Sequence, residues 1–248
     1  MNLLRGDGPL IRVGHRGAAA LAPENTLRSF EVALAHGVDA IEFDVLDLTD
    51  GPLVLAHSRA ELAADPLSLD DGLDFLRRHD VGVHVDLKLT TRLNEVAAAL
   101  RRHDLLERAV VSSFHLGSLR AIAAAAPEIP IGFTYPEDRY GVSKRRALAP
   151  AVRLGTLALR RAIVTRVTAM IERAGAKALM LQHATVSAAA VERAHRAGAA
   201  VWAWTVDDPV ALARLEAAGV DAVITNDPSL FAQGTEFAAA DPVPREDR

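Results

Sequence analysis

Short aliphatic and β-branched runs alternate with longer stretches in which apolar residues recur every three or four positions. This is the pattern of a parallel sheet whose strands are joined by crossover helices. Ile11–Val13 leads through Gly14 into a loop, and a helix is predicted from about Asn25 to His36. Ala40–Val45 is the second strand, with Pro52–Ala56 as a short extension of the same unit. A helix over Leu69–Arg78, a strand over Val83–Leu89 and a helix over Leu93–Arg102 follow. Ala109–Ser113, the helix Leu116–Ala126 and Ile131–Tyr135 continue the alternation. Beyond a less regular middle come Ala178–Gln182, the helix Ser187–Ala197, the strand Ala200–Thr205, the helix Pro209–Ala218 and the strand Ala222–Thr225. Eight strands joined by right-handed crossovers predict an α/β fold, a single (β/α)8 TIM barrel, with a doubly wound open sheet as the competing arrangement. The barrel domain is expected over residues 1–232, and the polar, Pro-containing tail 233–248 is expected to be mobile.

Polar residues interrupt the strands in a set pattern. The first strand ends in His15-Arg16-Gly17. The second carries Glu42 and Asp44, two apart and therefore on one side of the strand, and its extension ends in His57. The next carries Asp86 and Lys88 with the same spacing; later strands end at Ser112-Ser113, Gln182-His183 and Trp204-Thr205. Barrel chemistry sits at the C-terminal ends of strands, where these residues fall. Three carboxylates aimed at one mouth repel each other, and a divalent cation relieves that repulsion. All-oxygen ligands favour Mg2+ or Ca2+ over zinc. Two histidines and an arginine beside them suit proton transfer and phosphate binding. The plainer alternative makes Glu42, Asp44, Asp86 and Lys88 interior ion pairs with no further role.

Composition narrows the field. Half of the 248 residues are hydrophobic, enough for one large core, yet no apolar run approaches the ~18 residues of a membrane span. The first twelve residues show no secretory pattern, and there is no cysteine for a disulfide or thiolate. A cytoplasmic setting is the expectation. Net charge is −4, which argues against a nucleic-acid partner. Charge is nevertheless uneven: residues 139–173 contain Arg139, Lys144, Arg145, Arg146, Arg153, Arg160, Arg161, Arg166 and Arg173, with few acids nearby. This link is either a solvated helical surface or a weak peripheral contact with an anionic membrane through Leu154, Leu157, Leu159, Ile163 and Val164. No Gly-x-Gly-x-x-Gly turn follows a strand, which removes a dinucleotide-binding reading.

GHRG at 14–17, PENT at 23–26, AIEFDV at 40–45, LAH at 55–57 and DLK at 86–88 together resemble the glycerophosphodiester phosphodiesterase domain. SSF at 112–114, VWAWTVDD at 201–208 and GVDAVITNDP at 219–228 are similar to its later part. The resemblance implies a TIM barrel that binds one divalent cation, Mg2+ or Ca2+, and hydrolyses a small-molecule phosphodiester to glycerol 3-phosphate and an alcohol. Carried over by position, it implies Glu42, Asp44 and Asp86 as metal ligands and His15 and His57 as general acid and base. Arg16 and Lys88 would lie on the phosphate. In this family a substrate hydroxyl is thought to attack phosphorus, giving a cyclic phosphate that water opens. Two departures stand out: Ser58 follows His57 where the family usually has Asp, and Asp86 stands where Glu is usual. The link from His57 to Leu69 is also short, which leaves lysophospholipid-type diesters as an alternative substrate class. A catalytically inactive phosphate-binding barrel is the alternative of a different kind. A metal-dependent amidohydrolase is disfavoured because His-x-His is missing from the first strand.

Among secondary positions, Glu24-Asn25-Thr26 reads as a helix cap, or as orienting Arg16. Trp202 reads as core, and Trp204 as core or as a wall of the pocket against the alcohol. Gln182, His183 and Ser113 read as supporting groups or, less readily, as substrate contacts, and His79, His84, His103, His115 and His195 are given no role.

Overall fold

The computed structural model describes residues 1–48, 51–137 and 149–232, with side chains in the long helix described from residue 154. The tail 233–248 and the basic residues Arg139, Lys144, Arg145 and Arg146 lie outside them. The strands are β1 (Ile11–Gly14), β2 (Ala40–Asp47), β3 (Leu53–Leu55), β4 (Gly82–Leu87), β5 (Ala109–Ser113), β6 (Ile131–Tyr135), β7 (Ala178–Gln182), β8 (Ala200–Trp204) and β9 (Ala222–Thr225). The helices are α1 (Leu27–Ala35), α2 (Leu69–Leu76), α3 (Leu93–Arg102), α4 (Leu116–Ala125), α5 (Ala149–Ala174), α6 (Ala188–Arg196) and α7 (Pro209–Ala217). Among the described residues, all strands but β3 run parallel and close into a (β/α)8 barrel. The ring closes where β1 pairs with both β9 and β2, Val13 opposite Ala40. β3 folds back antiparallel on the end of β2, with Val45 opposite Leu55, and so carries the chain to His57 at the mouth.

Alternation along each strand sorts the interior from the helix layer. On β2, Ile41, Phe43 and Val45 join the apolar layer that packs the helices, while Ala40 joins a separate cluster inside the barrel. That inner cluster also holds Val13, Val110, Met180, Trp202 and Ile224, with Leu3 of the N-terminal segment beneath them. Trp202 is fully buried and its indole N–H donates to the Leu3 carbonyl at 3.2 Å, as expected of a core residue. The apolar plug fills the lower barrel and leaves Glu42, Asp44 and Asp86 above it.

The irregular middle of the chain contains a 26-residue helix. Its core seam is narrow: Ile163, Val167, Ile171 and Ala174 are buried, spaced by four, four and three. The five apolar residues named for a possible membrane contact do not form one face. Ile163 is completely buried, and Leu159 and Val164 pack against the core. Leu154 and Leu157 are 70% and 57% exposed. At 3.6 residues per turn, Leu154 lies about half a turn from Ile163, so the five residues cannot share a face. No helix among the described residues is long and apolar enough to cross a membrane.

Candidate functional site

Register brings the carboxylates together. Asp44 on β2 pairs with Asp86 on β4, and Glu42 pairs with His84, so the side chains form two successive layers on neighbouring strands. One oxygen from each of Glu42, Asp44 and Asp86 falls within 4.8 Å of the others, and all three residues are buried. They line a cavity of about 120 Å³ together with His15, Arg16, His57, Lys88, Phe114, Thr134 and Trp204. The side chains assigned a metal, proton-transfer or phosphate role from sequence therefore line one mouth, with Trp204.

The loop after β1 owes its shape to two glycines. A side chain at Gly14 would run into the Gly17 carbonyl. Gly17 has φ +84, and a Cβ there would sit 2.6–2.7 Å from the Ser29 backbone carbonyl. This close approach seats Arg16 on the start of α1, where the Ser29 hydroxyl donates to the Arg16 carbonyl at 2.7 Å. Gly17→Ala is expected to cost at least about 2 kcal/mol, from left-handed backbone plus steric overlap. A urea unfolding midpoint equal to that of the parent would show that the loop yields instead.

Arg16 itself, at φ +49, donates its backbone N–H to Glu42 at 2.8 Å. Its guanidinium contacts both oxygens of Glu24 at 2.8 Å, and its Nε lies 2.9 Å from Asp44. The PENT segment thus divides its labour. Glu24 pins Arg16, and Thr26 caps α1. Asn25 (φ +57) donates its amide to Asp44 at 3.1 Å and accepts the Asp44 backbone N–H at 3.2 Å. Capping and orientation are both present, on different residues.

Electrostatics show strain in this cluster. Three buried carboxylates face two cations, Arg16 and Lys88. Burial would raise the Asp44 pKa, but Lys88, 3.0 Å away, and then Arg16 hold it well below the usual range. Lys88 also contacts Asp86; these two carboxylates outweigh burial and keep its ammonium charged. Glu42 is left with the excess negative charge. Burial first, then Asp44 and Asp86, push its carboxyl well above the ordinary value. A hard divalent cation among three carboxylate oxygens matches both the donor set and the missing positive charge.

The two imidazoles sit in different settings. His15 Nδ1 meets Asn226 Oδ1 at 2.6 Å, and the Asn226 amide is turned by its own bond to Asp207 at 2.6 Å. With that oxygen accepting, His15 carries its proton on Nδ1 and presents bare Nε2, which lies 3.8 Å from Glu42. Burial, then Arg16, lower its pKa and keep it neutral. His57 is about one-third exposed at the rim and meets Glu61 at 2.7 Å.

Other expectations are redistributed. Trp204 lies edge-on to Phe114, ring centres 6.1 Å apart, and Lys88 sits over the Phe114 ring. These aromatics line the same cavity as the carboxylates. Ser112, rather than Ser113, supports the site: its hydroxyl donates to Asp86 at 2.5 Å, whereas Ser113 donates to the Leu87 carbonyl. Gln182 caps the turn after β7, and neither it nor His183 lines the cavity. His84, given no role from sequence, does line it. Its Nε2 lies 2.8 Å from Ser112, and burial pushes its pKa to about 4, so it is neutral. The signal was its spacing: two residues before Asp86, it shares the inward phase.

The model of the glycerophosphoryl diester phosphodiesterase family matches residues 15–64 and 71–230. A glycerophosphodiester phosphodiesterase of Caldanaerobacter subterraneus is 25% identical over 252 residues, covering 87% of this chain and 93% of the relative. The fold is similar to that of an Oleispira antarctica phosphodiesterase solved with the product sn-glycerol-3-phosphate (TM-score 0.70, 22% identity, 92% of this chain and 97% of that one). It is likewise similar to a glycerophosphodiester phosphodiesterase from Agrobacterium tumefaciens (TM-score 0.69, 22% identity, 91% and 100% covered).

Proposed function

Because the chain belongs to the glycerophosphoryl diester phosphodiesterase family, we propose that it hydrolyses glycerophosphodiesters to glycerol 3-phosphate and an alcohol. The observation that carries this reading is the buried Glu42–Asp44–Asp86 cluster opening into the same cavity as two imidazoles and two cations. The three carboxylates would hold one divalent cation, Mg2+ or Ca2+ by the hardness of their oxygens. Bound there, it would draw charge from a non-bridging phosphate oxygen and make phosphorus more electrophilic.

The protein's own groups supply the rest. Arg16 and Lys88 offset the anionic charge that makes a phosphodiester repel nucleophiles. The bare Nε2 of neutral His15 takes the proton from the attacking hydroxyl as its oxygen bonds to phosphorus. His57, at the rim where an alcohol departs to solvent, gives a proton to the leaving oxygen as the P–O bond breaks. Water then opens the cyclic phosphate with the two proton transfers reversed. Phe114 and Trp204 offer the alcohol an apolar wall.

The short turn between His57 and Leu69 leaves that side of the mouth lightly covered, which favours lysophospholipid-type diesters as the second reading. For any contact with anionic lipid, exposed Leu154 and Leu157 beside Arg160 and Arg161 are the residues that could serve. A headgroup panel decides among substrates. With Mg2+ or Ca2+, glycerophosphoethanolamine or a related diester is expected to release glycerol 3-phosphate, and a chelator to stop it. Turnover only with lysophospholipids moves the assignment to the second reading. No turnover on any diester with either ion leaves an inactive phosphate-binding barrel.

A further inference from the structure

Resting on that reading, we propose that Glu61 is a positioning residue that aims His57 for protonation of the leaving alcohol. β3 delivers His57 to the rim, and the chain then makes a single 3-10 turn, Arg59–Glu61, closed by the Glu61 N–H donating to the Ser58 carbonyl at 3.1 Å. That turn brings Glu61 back over the residue four positions earlier, and its carboxylate oxygen sits 2.7 Å from His57 Nδ1. An ionised carboxylate only accepts hydrogen bonds, so His57 Nδ1 is the donor and Nε2 is the nitrogen that faces the reaction. Burial works against the Glu61 charge, but the His57 bond and charge and the Ser58 hydroxyl prevail, and its pKa lies below the ordinary value.

The two imidazoles are therefore oriented by unlike partners. His15 leans on an amide, Asn226, which fixes direction without adding charge. His57 leans on a carboxylate, which fixes direction and sets a negative charge beside the ring. Ser58, next in sequence to His57, has no carboxylate to offer, and Glu61 provides one from the turn.

The test is kinetic and uses leaving groups of unlike basicity. Glu61→Gln keeps an acceptor oxygen and loses the charge; Glu61→Ala loses both. With glycerophosphoethanolamine, whose alkoxide needs a proton, kcat is expected to fall about tenfold for Glu61→Gln and about 10²-fold for Glu61→Ala, no more than general acid catalysis as a whole contributes. KM should stay within about twofold, because Glu61 does not line the cavity. With the p-nitrophenyl diester of glycerol phosphate, whose leaving group departs unprotonated, both variants should stay within about threefold of the parent. Equal losses on the two substrates would mean a general structural role and overturn the proposal; so would parental kcat on both. A parent protein that cleaves neither diester would instead remove the functional reading on which Glu61's role depends.

Discussion

Replacing either histidine, in His15→Ala or His57→Ala, is expected to lower kcat on glycerophosphoethanolamine by about 10²–10⁴-fold. Cation binding should survive, because neither ring belongs to the three-carboxylate cluster. The two losses arise differently. Without His15, the attacking hydroxyl has no bare imidazole nitrogen to take its proton, and Asn226 stays held by Asp207 with its carbonyl oxygen free. Without His57, the departing alkoxide leaves unprotonated. Since both transfers belong to one displacement, the double variant should fall well short of the product of the single losses. Release of glycerol 3-phosphate at saturating Mg2+ or Ca2+ measures turnover, and titration calorimetry of the ion on the variants checks that the cluster is intact. Parental turnover in either single variant would remove that imidazole from the mechanism.

The barrel was legible because a strand buried on both faces still alternates. Ile41, Phe43 and Val45 are apolar as the helix layer requires, and the residues between them, Glu42 and Asp44, are the exceptions that mark the mouth. Such exceptions are visible in one dimension. Closure of the ring by the pairing of Val13 with Ala40 follows only from summing the crossovers between successive strands. The α5 helix was obscured because its seam, Ile163, Val167, Ile171 and Ala174, is one residue wide, while Leu154 and Leu157 add apolar positions off that stripe. Amphipathic periodicity reads a broad face well and a narrow seam poorly.

The side chains that line the cavity were readable for the same reason as the strands, and most of their supports were not. Asn25 sits 19 positions before Asp44 and touches it only because α1 begins against the β1 loop. Glu61 lies in a turn with no period at all. His84 carried the inward phase, but spacing alone cannot say that its Nε2 would rest on Ser112, a residue 28 positions away that itself holds Asp86. Supporting contacts depend on three-dimensional register, so a single strand's pattern holds no trace of the partner.

Asp44→Asn should abolish cation binding while leaving the fold largely intact. Asp44 is the most completely buried of the three carboxylates and the one tied to Lys88, Arg16 and Asn25 together. In the parent, three carboxylates oppose two cations, and the surplus negative charge is what attracts a divalent ion. In the variant two carboxylates oppose two cations, so the cluster is balanced without one. The metal-free protein should consequently melt roughly 2–12 °C below the parent, the loss being about 1–3 kcal/mol for hydrogen bonds remade by an amide. The ion tells the two apart. At a concentration 100 times its dissociation constant, a ligand of the folded state adds about 2.7 kcal/mol of stability. For a chain of this size that raises the parent's melting temperature by roughly 5–10 °C. Asp44→Asn should show none of that rise with Mg2+ or Ca2+, and turnover at least about 10³-fold below the parent. A variant whose melting temperature climbs with the ion as the parent's does would place the cation elsewhere and detach Glu42, Asp44 and Asp86 from the chemistry.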